Sequence, residues 1–231
     1  MADITKTIKD ELTGLGADIV GFGDLRELPA DVRRDMPYGI CVAVKFPPDV
    51  IKGISELPTK EYHEWYNLLN ERLDKILESG AEFIRGLDYN AFALTRAAVG
   101  SWEGKLRTTL PHKTVATRAG IGWIGKSALL VTKEYGSMIR LSTILTDAPI
   151  KTAKPINKSK CGGCLICTKA CPAGAITGKL WNKDMPRDEF FDAEKCRIKA
   201  RERSKEGFGA ENVTICGKCI EVCPWTRRHL A

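Results

Sequence analysis

Cys161, Cys164, Cys167 and Cys171, followed by Pro172, reproduce the C-x2-C-x2-C-x3-C-P spacing of bacterial [4Fe–4S] ligand runs. A second, broken copy follows: Cys196, then Cys216, Cys219 and Cys223, with Pro224 after the last. In such runs three closely spaced cysteines wrap three corners of one cubane, while the fourth reaches the neighbouring cluster. Cluster one therefore takes Cys161, Cys164, Cys167 and Cys223. Cluster two takes Cys216, Cys219, Cys171 and, as a displaced fourth ligand, Cys196. Each proline ends the ligand turn, because its ring fixes φ and it has no N–H to donate. Zinc sites more often use paired C-x2-C units, and disulfides belong to small secreted chains. The ninth cysteine, Cys41, sits in the apolar run Ile40-Cys-Val-Ala-Val44 and reads as a buried strand residue.

The elements that must position these groups are bounded by composition. The chain has 231 residues, enough for one medium domain and a cluster module of roughly 75 residues. The first ten residues read as an amphipathic helix start without the apolar core of a signal peptide. No stretch approaches the roughly 18 apolar residues of a membrane span. Cluster cysteines without an export signal imply a reducing cytoplasm, with no membrane partner. The formal charge is +7. Cluster thiolates and iron cores together bring it to roughly +3, so charge alone does not argue for nucleic acid.

A polar, basic and aperiodic stretch at 151–160 marks a boundary, giving an N-terminal domain over 1–155 and a cluster module over 156–231. Hydrophobic periodicity predicts helices over 4–15, 62–77 and 112–119, the second closed by Gly80. Extended segments are expected over 17–23, 39–46, 81–87, 91–95, 127–132 and 138–146. The mixture is α+β.

Residues 120–127, Gly-Ile-Gly-Trp-Ile-Gly-Lys-Ser, satisfy both G-x-x-x-x-G-K-[ST] and G-x-G-x-x-G. Either motif needs a strand before the glycines and a helix after them, so that helix N–H groups meet phosphate. Here a helix precedes and a strand follows, which argues against nucleotide binding. The glycines still allow a tight turn and a close approach.

The segment from Arg118 through Gly120, Gly122, Trp123, Gly125, Lys126 and Ser127 to Leu130, then Tyr135-Gly-Ser137, Thr146-Asp147, the run Cys161 to Pro172, and Cys219 to Trp225 together resemble the epoxyqueuosine reductase family. That family is related to the reductive dehalogenases. The resemblance implies a nitroreductase-like α/β domain that binds cobalamin, followed by a ferredoxin-like module with two [4Fe–4S] clusters. It also implies reduction of an epoxide on a modified tRNA base. Carried over, Gly120, Gly122, Trp123, Gly125, Lys126 and Ser127 form the loop that approaches the corrinoid. The chain has no D-x-H-x-x-G segment, consistent with a cobalt that takes no protein ligand.

Two departures point away from tRNA. Family members that act on tRNA continue into a helical-repeat region, whereas this sequence ends at Ala231, six residues after Trp225. The family's acidic proton donor precedes the glycine loop, where 106–113 reads Leu-Arg-Thr-Thr-Leu-Pro-His-Lys, without a carboxylate. His112 stands there instead, as a candidate proton donor or as a packing residue. His63 and His229 read as solvated. The run from Lys195 to Lys205 has six cations around Cys196 and reads as a solvated helix face or as a dock for an acidic electron donor. Trp102, Trp123, Trp181 and Trp225 line a flat cofactor or exclude water near clusters. The expected protein is a cytoplasmic iron–sulfur oxidoreductase. A low-potential donor of ferredoxin or flavodoxin type would feed its clusters, and these would feed a corrinoid that reduces a small-molecule or protein-bound substrate. Two alternatives stand beside it: an electron-transfer protein with no substrate of its own, and a flavin-containing reductase.

Overall fold

The computed structural model describes residues 3–99 and 106–230. Helices α1 (Ile4–Gly14), α2 (Pro48–Lys52), α3 (Lys60–Arg85), α4 (Arg96–Val99) and α5 (His112–Arg118) precede the cysteine runs. Helices α6 (Ile166–Ala170), α7 (Ala193–Phe208), α8 (Lys218–Glu221) and α9 (Pro224–Arg227) lie among them. The strands are β1 (Ile19–Asp24), β2 (Tyr38–Lys45), β3 (Ala91–Leu94), β4 (Gly122–Ile124), β5 (Leu130–Thr132) and β6 (Ile139–Thr146). The fold is α+β. Its residues divide into two compact units, neither continuous in sequence.

The first unit comprises Met1–Val44, Leu69–Ile121 and Arg140–Ile156. Its sheet has the order β1-β2-β6-β3, with β1 antiparallel to β2 and β3 antiparallel to β6. The run Ile40 to Val44 in β2 is buried throughout, which accounts for its lack of polar alternation. Cys41 lies opposite Gly21 in this sheet, and burial pushes its thiol up to about 12, so it is an inert core residue. Helix α5 lies close on β1 because Gly23 has no side chain there. A Cβ on Gly23 would stand 2.9 Å from the Ala119 nitrogen.

The segment 81–87, expected to be extended, instead continues α3 as far as Arg85. Gly80 does not end the helix. It admits Leu12 and Ile144 where a side chain would collide, and the buried series Leu73, Ile76, Leu77, Ala81 and Ile84 keeps the helical period running past it.

The second unit comprises Lys45–Leu68, Gly122–Ile139 and Asn157–Ala231. Here β4 and β5 form an antiparallel hairpin, Gly122 opposite Thr132 and Ile124 opposite Leu130. The expected strand over 127–132 thus starts only at Leu130, and β4 was not foreseen. Ser127 lies in the connecting turn, closed by Gly125 N–H donating to Leu129 O (2.8 Å) and Ala128 N–H donating to Gly125 O (2.9 Å). Among the described residues no helix is long and apolar enough to cross a membrane.

Candidate iron-sulfur site

All eight run cysteines lie in the second unit, are partly buried and are free, which removes the disulfide alternative. In the first run, Cys164 N–H donates to Cys161 O (3.2 Å) and closes a turn. Helix α6 carries Cys167 and ends at Cys171, whose extended backbone leads into Pro172. The N–H of Ala175 points at Cys171 Sγ (3.4 Å), a donor suited to a thiolate.

The second run needs more scaffolding. Cys196 sits in the first turns of α7, whose N-cap Asp192 accepts from Lys195 N–H. The Ser204 hydroxyl of the same helix donates to Ile215 O (2.9 Å) and accepts from Ile215 N–H (3.4 Å), so α7 grips the residue before Cys216. Gly217 follows with φ of 73°, and a Cβ there would run into Ile54 and stand 3.2 Å from the Tyr62 ring. Only glycine meets both demands. Helix α8 carries Cys219, and Cys223 caps α9, with Pro224 at its first position.

Thiols of the two runs are electrostatic neighbours. Burial and then Cys223, Cys161 and Cys164 push Cys167 up to about 11. Burial and then Cys216, Cys171 and Asp192 push Cys196 up to about 11. Cys219 is raised by burial and then by Cys216, Cys196, Cys167 and Cys171. Cys167 thus neighbours Cys223 of the other run, Cys196 neighbours Cys171, and Cys219 neighbours thiols of both runs. Among the described residues no three His, Cys, Asp or Glu side chains converge on one ion position. A cubane gives each cysteine its own iron, so its ligands stand farther apart than those of a single zinc.

The residues expected to hold a corrinoid fall in both units. Gly120 (φ 66°) belongs to the first, where a Cβ would stand 2.9 Å from Lys154 O. Gly122 belongs to the second; a Cβ there would strike Val131 O, so its bareness serves the hairpin. At Gly125 a Cβ would stand 2.9 Å from Val131 Cγ2 and 3.6 Å from Cys161 Sγ. Lys126 is only 4% exposed and donates to Cys164 O (2.9 Å), a role unlike that of a phosphate-binding lysine. Ser127 is buried. Trp123 is 1% exposed and packs edge-on against Trp225 (4.9 Å between centroids), two residues after Cys223. Lys160, next to Cys161, stands over the same ring at 5.9 Å. The indole N–H of Trp123 is buried without an acceptor from the protein. Trp181 is buried, and Trp102 lies outside the described residues.

His112 opens α5 in the first unit. Its Nδ1 lies 3.0 Å from Thr143 Oγ1 and its Nε2 3.5 Å from Ser142 Oγ. Burial, then Arg140, lowers its pKa to about 4 despite Asp74, so it is neutral at pH 7. His63 and His229 are half-buried rather than solvated: His63 stacks on Phe208 at 5.5 Å, and His229 meets Lys133 O at 3.3 Å. A cavity of about 210 Å³ beside β3 and β6, lined by Arg34, Leu94, Leu110 and Leu145, is smaller than the roughly 300–1,000 Å³ of drug-sized ligand sites and cannot take a corrin.

One residue that spacing arguments overlooked is Glu221, buried between Cys219 and Cys223 and paired with Lys218 (3.0 Å) and Arg227. It ties α8 to α9. A carboxylate flanked by cations three and six residues away was the available signal.

Residues 160–226 match the family model described as a 4Fe-4S double cluster binding domain. An epoxyqueuosine reductase from Listeria monocytogenes is 37% identical over 52% of this chain and 31% of its own length. The match thus spans about a third of that relative. A reductive dehalogenase, whose structure was described as suggesting a mechanism for B12-dependent dehalogenation, superposes with TM-score 0.74 at 20% identity, over 96% of this chain and 31% of that one. An epoxyqueuosine reductase crystallised with a tRNA-Tyr stem loop gives TM-score 0.62 at 19% identity, over 97% and 65%. The chain is therefore similar to epoxyqueuosine reductases over about half its length, shares its fold with them and with the reductive dehalogenase, and carries a double [4Fe–4S] domain over 160–226.

Proposed function

We propose that this protein is an iron–sulfur oxidoreductase that passes single electrons through two [4Fe–4S] clusters to a corrinoid, which reduces a substrate. What supports this reading is the mixing of thiols from both runs within the matched double-cluster domain: Cys167 neighbours Cys223, and Cys196 neighbours Cys171 and Cys216. In it, 156–231 is the cluster module and 1–155 a nitroreductase-like domain for the corrinoid. The ligands are Cys161, Cys164, Cys167 and Cys223 for cluster one, and Cys171, Cys196, Cys216 and Cys219 for cluster two.

The residues around cluster one suit a negatively charged group. Lys126 holds its ammonium on the Cys164 carbonyl, inside the protein, where a cation favours the more negative, reduced state. The Trp123 N–H, buried without an acceptor and on a ring that packs against Trp225 and lies under Lys160, would suit a cluster sulfur as its acceptor. Two such groups supply one-electron storage; hydrogen bonds to sulfur and burial tune their potential.

A corrinoid supplies low-potential reducing chemistry at a metal. It is supported by the likeness to the reductive dehalogenase and by the resemblance of 118–130 to the epoxyqueuosine reductase family, and flavin finds no such support among these relatives. His112 enters this account as a neutral hydrogen-bonding group on Thr143 rather than as an acid. One observation favours the second reading, an electron carrier without its own substrate: Gly122, Gly125 and Lys126 are already engaged by the chain itself.

Titration of anaerobically purified protein with cobalamin decides between them. Micromolar binding with a Co(II) resonance free of axial nitrogen splitting supports the corrinoid enzyme. No binding, with both clusters intact, leaves the electron carrier.

A further inference from the structure

We infer that the surface around the Cys164–Cys167 loop, bearing Leu165, Ile166 and Leu180 within a ring of unpaired lysines, is where a carboxylate-rich one-electron carrier protein docks to feed cluster one. The inference rests on the cluster reading above and adds the entry point.

Three aliphatic side chains stand in solvent there: Leu165 at 41%, Ile166 at 47% and Leu180 at 44% exposure. Two of them lie between cluster ligands in sequence. The third follows Gly178 by two residues, and a Cβ on that glycine would stand 3.1 Å from Leu165 Cδ2. Exposed aliphatics scattered singly need no explanation; two adjacent ones in a redox ligand loop, with a third two residues from a glycine that touches Leu165, do.

Along the chain the charges beside them share one sign, and an acidic residue close to this segment in space is Glu189, whose carbonyl meets Thr177. Between Asp147 and Asp184 the chain has no carboxylate. Lys169 lies on the α6 turn whose N–H donates to Leu165 O. Lys179 adjoins Leu180, Lys160 adjoins Cys161, and Lys158 pairs by a β-bridge with Asn182. Among the described residues none of these four lysines is in an ion pair.

Helix α7 differs. There Lys195 pairs with Asp192, Arg197 with Glu194, Lys199 with Glu202 and Lys205 with Glu211, while Arg203 donates to Glu56 O. Its cations are largely neutralised on the spot, so the dock expected on that helix is better placed at Leu165. An unopposed positive rim steers an acidic partner, and a small apolar centre suits the brief contact of electron carriers. The alternative occupant, an RNA, fits less well: the patch offers lysines and aliphatics but no arginine fork and no exposed aromatic for stacking.

The step is an electron transfer with no bond made or broken. A flavodoxin hydroquinone anion gives up one electron and becomes the neutral semiquinone, and the oxidised cluster gains that electron.

Stopped-flow reduction of the reconstituted protein by flavodoxin hydroquinone tests the surface. Lys169→Glu/Lys179→Glu should slow the second-order step about tenfold at low salt, within the range that steering supplies, and the difference should vanish at high salt. Leu180→Ser should weaken the complex at either salt. Reversal on α7, Lys199→Glu/Arg201→Glu, should stay within about twofold of wild type, a smaller change than steering produces. Iron content and reduction by dithionite should be unchanged in every variant.

Slowing by the α7 reversal alone, or by neither, overturns the inference. So does a stem-loop RNA whose binding is lost in Lys169→Glu/Lys179→Glu while flavodoxin reduction is not. Wild type reduced by dithionite but not by flavodoxin refutes the dock alone. Iron that dithionite cannot reduce refutes the cluster reading itself.

Discussion

The first cysteine run is local: four cysteines within eleven residues, placed by one turn, one short helix and a proline. The second spans 28 residues and depends on distant neighbours, with Ser204 gripping Ile215 and with Ile54 and Tyr62 crowding Gly217. A ligand set can thus be written into spacing, or assembled by packing. The second way leaves the ligands exposed to damage elsewhere in the fold.

That contrast is breakable at its glycines. Gly217→Ala combines a left-handed backbone with a collision, and should cost roughly 2–4 kcal/mol with loss of cluster two, read by denaturation and iron content. Gly162 has a similar φ of 53° but open space around it, so Gly162→Ala should cost only about 1–2 kcal/mol and spare both clusters. Equal costs would mean that the crowding at Gly217 is unimportant. Ser204→Ala leaves Ile215 without its hydroxyl partner; a loss of about 1–3 kcal/mol is expected, with selective weakening of cluster two. The smallest effects belong to Lys126 and Trp123, neighbours of the first run, where stability should hold and only the potential should move. Lys126→Met and Trp123→Phe should each make cluster one harder to reduce, since one removes a nearby cation and the other a donor to sulfur. Potentiometric titration checks the sign; an easier reduction would contradict it.

The same contrast decides what was legible in the sequence. Cysteine spacing announced the double-cluster domain matched over 160–226, because cubane geometry leaves few ways to wrap it. Apolar periodicity gave α1, β2 and the start of α3. It failed at Gly80 because a glycine that ends a helix and one that lets another helix approach look alike in one dimension. The segment 120–127 misled for a related reason. Gly122 and Gly125 admit Val131 of the paired strand, and Lys126 reaches a carbonyl 38 residues away; neither contact leaves a local trace. Basic residues around Cys196 left open either a solvated helix face or a dock, and α7 brings carboxylates to them at helical spacing, as on a solvated face.

The central claim is that two clusters are held by crossed ligand sets, and iron and sulfide analysis with electron paramagnetic resonance tests it directly in wild type and Cys196→Ser. Wild type should hold about eight iron and eight sulfide per chain, with two interacting signals on reduction. Cys196→Ser should lose or alter cluster two and leave cluster one as an isolated signal. A wild type with four irons, or a Cys196→Ser protein identical to it, would contradict the account.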